Sequence, residues 1–512
     1  MRIPLDTSRH RLFSLVLACA LGGCGNRPTD DLLRADVPSL RVTSSDTFLV
    51  SAFEWAKQTS ASYVGRDTDP VGPWYEASLP QREAFCIRDV AHQSIGAELL
   101  GYGKQNLNMF RRFVENISES KDYCTHWEIN RYNKPAPVDY ASDEDFWYNL
   151  NANFDIIDAS FKLYLWTGNR TYIDDPQFDR FMQLSLNEYI ERWQLQADRI
   201  MARPAFLNRR PGTRRYAKSR GIPSYDEGQD DPVMSGDLLG MIYNGFITYA
   251  KVLGARDDSA RSARYLTRAS AYGRLLDSLW WDPGTQSYFA FYKTDHTFAP
   301  AGIGGSEFLL WYNAIRDPHR IVSALNSLRD SQIEVLSYLP MLFYRYGFNQ
   351  DAYDVLRKIM ADPRRQYPEA ASGTVEGIVR GLMGVEPSAA TQVVTTTPHL
   401  TSRTAWIAAE GIPIFSGAIS VRHTALWRTD FANQSDRPLR WRAQFPGACT
   451  RVEVDGRSIA AAPSVDAVGN AFCYVDVQVA AHAQTRAEVR RPWRRDRRVP
   501  AGPAAVARDR YR

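Results

Sequence analysis

The chain is poor in cysteine, short of long apolar runs and close to charge balance, and each shortage excludes something. Its 512 residues hold six cysteines, and no spacing between cysteine and histidine resembles a zinc site. The apolar run at residues 12–21 is too short to cross a bilayer as a stable helix. Net charge is +4, with much of the excess in the last two dozen residues, so nothing calls for a nucleic-acid partner. No glycine loop of the phosphate-cradling kind or other nucleotide motif stands out. No cofactor and no resident metal are expected.

Aromatic residues are what the sequence has in quantity: 12 % of the chain, including 13 Trp and 26 Tyr. Such rings suit surfaces that are apolar on one side and wet on the other. Sugar binding is one use, and the core of a large helical domain accounts for most of them. The length is large for a single core, so two domains are expected.

The first residues read as targeting rather than structure. Arg9, His10 and Arg11 precede the apolar run, and small residues follow it. Leu21-Gly22-Gly23-Cys24 resembles a bacterial lipobox, in which Cys24 would carry lipid and begin the mature chain. Gly25, rather than Asp, follows it, which in that pattern points to the outer membrane. An ordinary cleaved signal is the alternative, and both export the protein. Residues 1–23 are thus the expected signal peptide and 24–45, with Pro28 and Pro38, a tether. Export makes disulfides admissible. Beyond Cys19 and Cys24 the four remaining cysteines fall into local pairs, so Cys86–Cys124 and Cys449–Cys473 are the preferred pairings. Free buried thiols are the alternative for the first pair.

Apolar residues at three-to-four spacing, punctuated by Gly and Pro, predict twelve helices within residues 46–390. They cover 47–64, 85–100, 104–117, 144–166, 176–200, 235–253, 257–281, 306–315, 318–328, 334–346, 350–362 and 374–383. Pro176 and Pro318 suit first-turn positions, and Ser235 and Ser306 suit N-caps. The helices pair into six hairpins. Joints from even to odd helices are short. Joints from odd to even helices are longer and hold the acids and aromatics, and long loops in a compact domain are commonly functional. A closed ring of hairpins would gather those loops at one mouth. From about residue 391 to 490 short alternating segments take over, with Asp455-Gly456 as a hairpin turn, so a small β-sandwich-like domain is expected. Residues 491–512, basic and with a Pro-Ala-Gly stretch, are expected to be a disordered tail.

With twelve paired helices, a β domain behind them and Phe85-Cys86-Ile87-Arg88-Asp89-Val90-Ala91, the chain resembles the six-hairpin, (α/α)6-barrel glycosidases. This broad group includes glucoamylases, rhamnosidases and trehalases. The segment is similar to the Arg-Asp segment that opens an inner helix in glucoamylase-like enzymes and holds the sugar being cleaved. The resemblance covers roughly residues 45–390 and implies that Arg88 and Asp89 bind ring hydroxyls. It also implies an inverting mechanism, in which one carboxyl group protonates the leaving oxygen and another activates water.

In the families it resembles, the acid often lies before the sixth helix and the base before the twelfth. The corresponding acid here is Glu227, whose neighbours Asp226, Asp230 and Asp231 would raise its pKa by repulsion. A solvated acidic loop or a calcium site would use the same residues. For the base, Glu369 is preferred because it is read as lying in the loop. Glu376, in the first turn of the expected last helix, is the alternative, and an acid there also suits the helix dipole. Glu128 is a further alternative for the acid. Trp127 would stack on a sugar face, and Arg131, Trp147, Tyr148, Asn153 and Tyr225 would complete the contacts, along with Asp226 and His92. Trp147 and His92 also read well as core residues.

The expected activity is hydrolysis of an oligo- or polysaccharide. Two other classes compete. A polysaccharide lyase on a helical toroid would draft Tyr225, His92 and Arg88, although mouth carboxylates would repel its acidic substrate. A non-catalytic glycan-binding lipoprotein, held to the membrane through Cys24, would bind without turnover.

Overall fold

A computed structural model describes residues 40–205, 215–216, 219–228, 232–300, 306–328, 331, 333–415 and 417–489. The expected signal peptide, Cys24 and the basic tail lie outside the described residues.

Among the described residues twelve helices make up the ring. They are α1 (Thr47–Ser62), α2 (Ile87–Leu99), α3 (Gly103–Glu115), α4 (Ala152–Thr167), α5 (Pro176–Leu186) and α6 (Gly236–Ala255), followed by α7 (Ser259–Leu279), α8 (Ser306–Trp311), α9 (Pro318–Ser327), α10 (Leu339–Arg345), α11 (Asn349–Ala361) and α12 (Pro368–Glu376). Local chemistry sets their starts. Asp46 accepts from Phe48 N at 3.0 Å, and Asp175 and Asp317 cap helices that begin with proline. Ser235 caps α6, accepting from Leu238 N at 3.2 Å, whereas Ser306 is helical and belongs to α8 itself.

The even-numbered helices form the inner ring. α12 packs on α2, α2 on α4, α4 on α6, α6 on α8 and α8 on α10, and α10 meets the π-helix Gly377–Leu382 that continues α12. That closes the (α/α)6 toroid. Inner helices α2, α4, α6 and α12 are buried almost all round, while outer helices such as α3, α9 and α11 bury one stripe. The inner ring is tight where glycine permits it. A methyl group on Gly96 of α2 would overlap the Ser372 carbonyl of α12. Gly96→Ala is therefore expected to push α2 from α12 at a cost of about 1–3 kcal/mol. Urea unfolding checks this, and an unchanged midpoint would refute the close fit.

Several sequence boundaries shift. Residues 144–151 are not the start of a helix but two short strand segments, Asp145–Phe146 and Tyr148–Asn149, so α4 begins at Ala152. The expected helix at 176–200 stops at Leu186, and Glu188–Arg192 forms a separate turn of helix. The last inner helix starts six residues earlier than expected, at Pro368 rather than residue 374. Proline at N1 explains this: its fixed φ suits a helix start, and Tyr367 before it is extended, with φ −60° and ψ 125°.

The β region is two facing sheets. The seven-stranded sheet runs Arg41–Ser44, Trp406–Ile414, Gly417–Thr424, Arg428–Asn433, Gln484–Glu488, Arg451–Val454, Arg457–Ala460. The five-stranded sheet runs Glu386–Ser388, Val393–Thr396, Leu439–Pro446, Ala471–Val479, Ala462–Val465. Phe431 of one stacks on Trp441 of the other, with ring centres 4.9 Å apart. Asp455 and Gly456, both at positive φ (49° and 78°), make the expected hairpin turn. Residues 41–44, read as the end of a tether, are instead an edge strand paired with Trp406–Ile414.

Cys449 and Cys473 form a disulfide. Cys86 and Cys124 do not: both are free and buried. Cys86 pairs across the sheet with Glu128, four residues beyond Cys124, and lines a cavity. Cys124 faces a different cluster, against Trp193 and Tyr189. Burial pushes both thiols up. No described helix is long and apolar enough to cross a membrane.

Candidate active site

The segments that precede α2, α4, α6 and α12 converge on a cavity of about 450 Å³. Arg88, Asp89, Trp127, Trp147, Tyr225, Glu227 and Tyr367 line it, together with Ser78, Leu79, Arg82, Cys86, Val138, Asp139 and Tyr216. A broader depression of about 650 Å³ lies on the seven-stranded sheet, where Asp430 and Arg486 of its lining pair with each other.

Glu227 is placed by Asp237, the second residue of α6. Asp237 Oδ2 accepts from Tyr225 N at 2.9 Å, Ser224 Oγ at 3.1 Å and Asn151 Nδ2 at 3.2 Å, which fixes the turn before the helix. Asn149 donates to the Ser224 carbonyl at 2.7 Å and to Glu227 Oε1 at 3.1 Å, and Trp147 Nε1 in turn donates to Asn149 at 2.8 Å. The Glu227 residue as a whole is exposed. Its carboxyl pKa is raised, chiefly by desolvation, with the Asp226 charge a lesser cause. The like-charge origin expected from the sequence is thus secondary. Asp226 does not line the cavity; its Oδ1 accepts from Gly228 N at 3.1 Å within its own turn. Asp230 and Asp231 lie outside the described residues.

The facing side is built by α2 and α12. Asp89 is buried, 3.1 Å from Arg88 Nε, and accepts from the Tyr367 hydroxyl at 2.8 Å. Burial and then the Glu369 charge raise its carboxyl to about 7, against the pull of Arg88. Arg88 also lies 5.3 Å from the centre of the Tyr225 ring, so one guanidinium joins the two sides. Glu369 is in the first turn of α12, not in a loop, and sits behind Asp89 rather than on the cavity surface.

Beneath the cavity His92 lies between two carboxylates, 3.3 Å from Asp155 and 3.3 Å from Glu369. Burial works against its charge, but Asp155 and Glu369 outweigh it and lift the imidazole to about 9. The hydroxyls of Tyr225 and Tyr312 both donate to Asp155.

Other expected site residues have structural employment. Glu376 pairs with Arg380 at 2.8 Å, which pairs with Glu386 at 2.8 Å; it lies two turns along α12 from Glu369 and does not line the cavity. Arg131 is held by Glu83 at 2.6 Å and Asp69 at 2.8 Å. Tyr148 is buried and donates to Asn153 Oδ1 at 2.5 Å, and Asn153 donates to Ser185 Oγ at 2.9 Å. Glu128 lies under the cavity wall, paired with Arg82 at 3.0 Å.

Sequence reasoning missed Arg82, Asp139, Tyr216 and Tyr367 as cavity residues. Tyr367 lies two residues before Glu369, which the sequence did single out. Asp139 and Tyr216 carry no local signal. Among the described residues no group of three or more His, Cys, Asp or Glu side chains is arranged to hold a metal ion.

No family model matches the sequence, and no curated protein matches it. Solved structures do share its fold. An α-L-rhamnosidase from Dictyoglumus thermophilum superposes with TM-score 0.57 at 12 % identity, covering 88 % of this chain and 50 % of its own. A GH78-family rhamnosidase of Bacillus sp. GL1 gives 0.56 at 10 % identity, covering 77 % and 40 %. A putative kojibiose phosphorylase from the human microbiome gives 0.53 at 10 % identity, covering 87 % and 68 %. The chain therefore spans half or less of the length of these two rhamnosidases. At such identities the likeness establishes the fold, an (α/α)6 toroid followed by β-sheets, and leaves the reaction to the residues.

Proposed function

We propose that the protein is a glycoside hydrolase acting on an oligo- or polysaccharide. One observation carries this reading: the carboxyl groups of Glu227 and Asp89 line a single cavity, the second in electrostatic contact with Glu369 behind it, and Trp127, Trp147 and Tyr225 line the same cavity. Glycosidic bond cleavage needs a carboxyl group that keeps its proton and a second that stays ionised. Glu227, desolvated and raised, gives its proton to the leaving oxygen. The Asp89–Glu369 pair holds a negative charge stabilised by Arg88 and His92 and draws a proton from the attacking water. Water and substrate together supply the atoms: the C–O bond breaks, the leaving sugar departs as an alcohol, and hydroxyl adds to the sugar carbon.

A lyase is less well supported. Tyr225 and His92 would be its bases, yet the Tyr225 hydroxyl is committed to Asp155 and His92 lies beneath the cavity. The carbohydrate-active chemistry of neighbours with this fold agrees with the hydrolase. An exported protein, lipid-anchored at Cys24, is part of the same reading, and the Cys449–Cys473 disulfide is compatible with an oxidising compartment.

The test is a screen of the purified protein against diverse oligosaccharides, read by reducing-sugar release and chromatography. Turnover of one glycan supports the reading. Unsaturated products absorbing in the ultraviolet, or retention without turnover, would sink it in favour of the lyase or the binding protein.

A further inference from the structure

The Glu227 and Asp89 sides do not exhaust the cavity. A third carboxyl cluster lies in its wall. Glu128 is 1 % exposed, and its Oε2 is 3.0 Å from Arg82 Nη1, while Oε1 is buried without a hydrogen-bond partner. Asp139 lines the cavity from the loop whose backbone carbonyl accepts from Trp147 N at 2.8 Å. Its Oδ2 is buried, also without a partner, and 3.8 Å from the same Arg82 nitrogen. Two ionised carboxylates beside one guanidinium would repel, and two buried acceptors would stay unsatisfied. One proton between them removes both costs. We infer that Glu128 and Asp139 share a single proton, and that Asp139 and Arg82 form a subsite for two neighbouring hydroxyls of the bound sugar.

Burial and then the Asp139 carboxyl raise Glu128 to about 8, so the pair keeps its proton at neutral pH. The remaining groups facing it are the Ser78 hydroxyl, the Cys86 thiol and the Tyr216 phenol, with Arg82 as the adjoining cation. With Glu128 holding the proton, Asp139 presents acceptor oxygens to the cavity. Arg82, whose side chain is a third exposed, presents N–H donors beside it. An acceptor next to a donor fits a hydroxyl that gives a proton and one that receives. Leu79 and Val138, 46 % and 42 % exposed, offer an apolar rim for the C–H face of the same sugar. The subsite rests on the glycosidase reading; the shared proton does not.

Two readouts separate them. Infrared difference spectroscopy of the full chain at neutral pH should show carboxylic-acid carbonyl absorption from which Glu128→Gln removes one group's share and Glu376→Gln removes none. Absorption indifferent to Glu128→Gln overturns the shared proton. On the glycan turned over in the screen, Asp139→Ala and Glu128→Ala should each raise KM about tenfold or more, with a smaller change in kcat. In Glu128→Gln the amide N–H replaces the shared proton, so this variant should recover KM and lose the rise in KM seen as alkali strips the pair. Equal losses in Glu128→Ala and Glu128→Gln, or losses confined to kcat, overturn the subsite. Absence of turnover on every glycan removes the subsite with the glycosidase reading and leaves the infrared result standing.

Discussion

Glu227→Gln is expected to fold, to bind glycan, and to lose about 10²–10⁴-fold in kcat. The amide keeps the acceptor that Asn149 Nδ2 reaches at 3.1 Å but has no acidic proton to transfer. The size of the loss should depend on the leaving group. An aryl glycoside, whose phenolate departs without protonation, should recover most of the rate, because only departure of an alcohol needs the acid. Asp89→Asn and Glu369→Gln should behave differently. Their loss falls on activation of water and should not be relieved by a better leaving group. Steady-state kinetics of the three variants on an aryl glycoside and on the natural glycan would check this. A Glu227→Gln defect of the same size on both substrates would remove Glu227 from the role of acid.

His92→Ala should carry the largest stability penalty of any single change near the site, about 3–5 kcal/mol, because it strands Asp155 and Glu369 as buried carboxylates without their shared cation. The sign of the pH dependence follows from the raised imidazole. Its folded pKa of about 9 stands above the ordinary histidine value, so its contribution is complete below about pH 6.5 and disappears as pH rises through 9. Wild type should therefore lose about 3 kcal/mol relative to His92→Gln between about pH 6 and pH 10. Urea titrations at both ends measure it. Parallel pH curves for the two proteins would mean that His92 is neutral in the fold.

The toroid was legible because its signals are repetitive. Twelve apolar stripes recur with short and long joints in alternation, and the segments before four of the six even-numbered helices, α2, α4, α6 and α12, do meet at one cavity. Arg88 and Asp89 could be placed there because they open an inner helix, and Glu227 because it lies just before another. What failed was local. Residues 144–151 carry a helix-like pattern, yet Trp147 and Tyr148 are apolar for a different reason: one walls the cavity and the other fills the core behind it. Glu369 was misread as a loop residue because Pro368 looks like a stop signal and here is a start signal. Glu376 and Arg131 had the right chemistry, but only the three-dimensional structure reveals the partners that occupy them, Arg380 for one and Asp69 with Glu83 for the other. Asp139 had no sequence signal because its importance comes from lying against Glu128 and Arg82, and no spacing encodes that.

The edge strand Arg41–Ser44 has a consequence for how the chain is made. Ser44 Oγ donates to the Trp406 carbonyl across a separation of 362 residues. The strand leaves the ribosome first among the described elements, and its partner comes only after the whole ring of helices. At about 5–20 residues per second the interval is roughly 20–70 s. For that time an unpaired strand waits with its hydrogen-bonding edge open. The ring must therefore assemble around a loose leading end, and the seven-stranded sheet is completed late in synthesis. Pulse-chase proteolysis should accordingly find residues 41–44 cleavable in nascent chains that stop before residue 406 and protected in the finished protein.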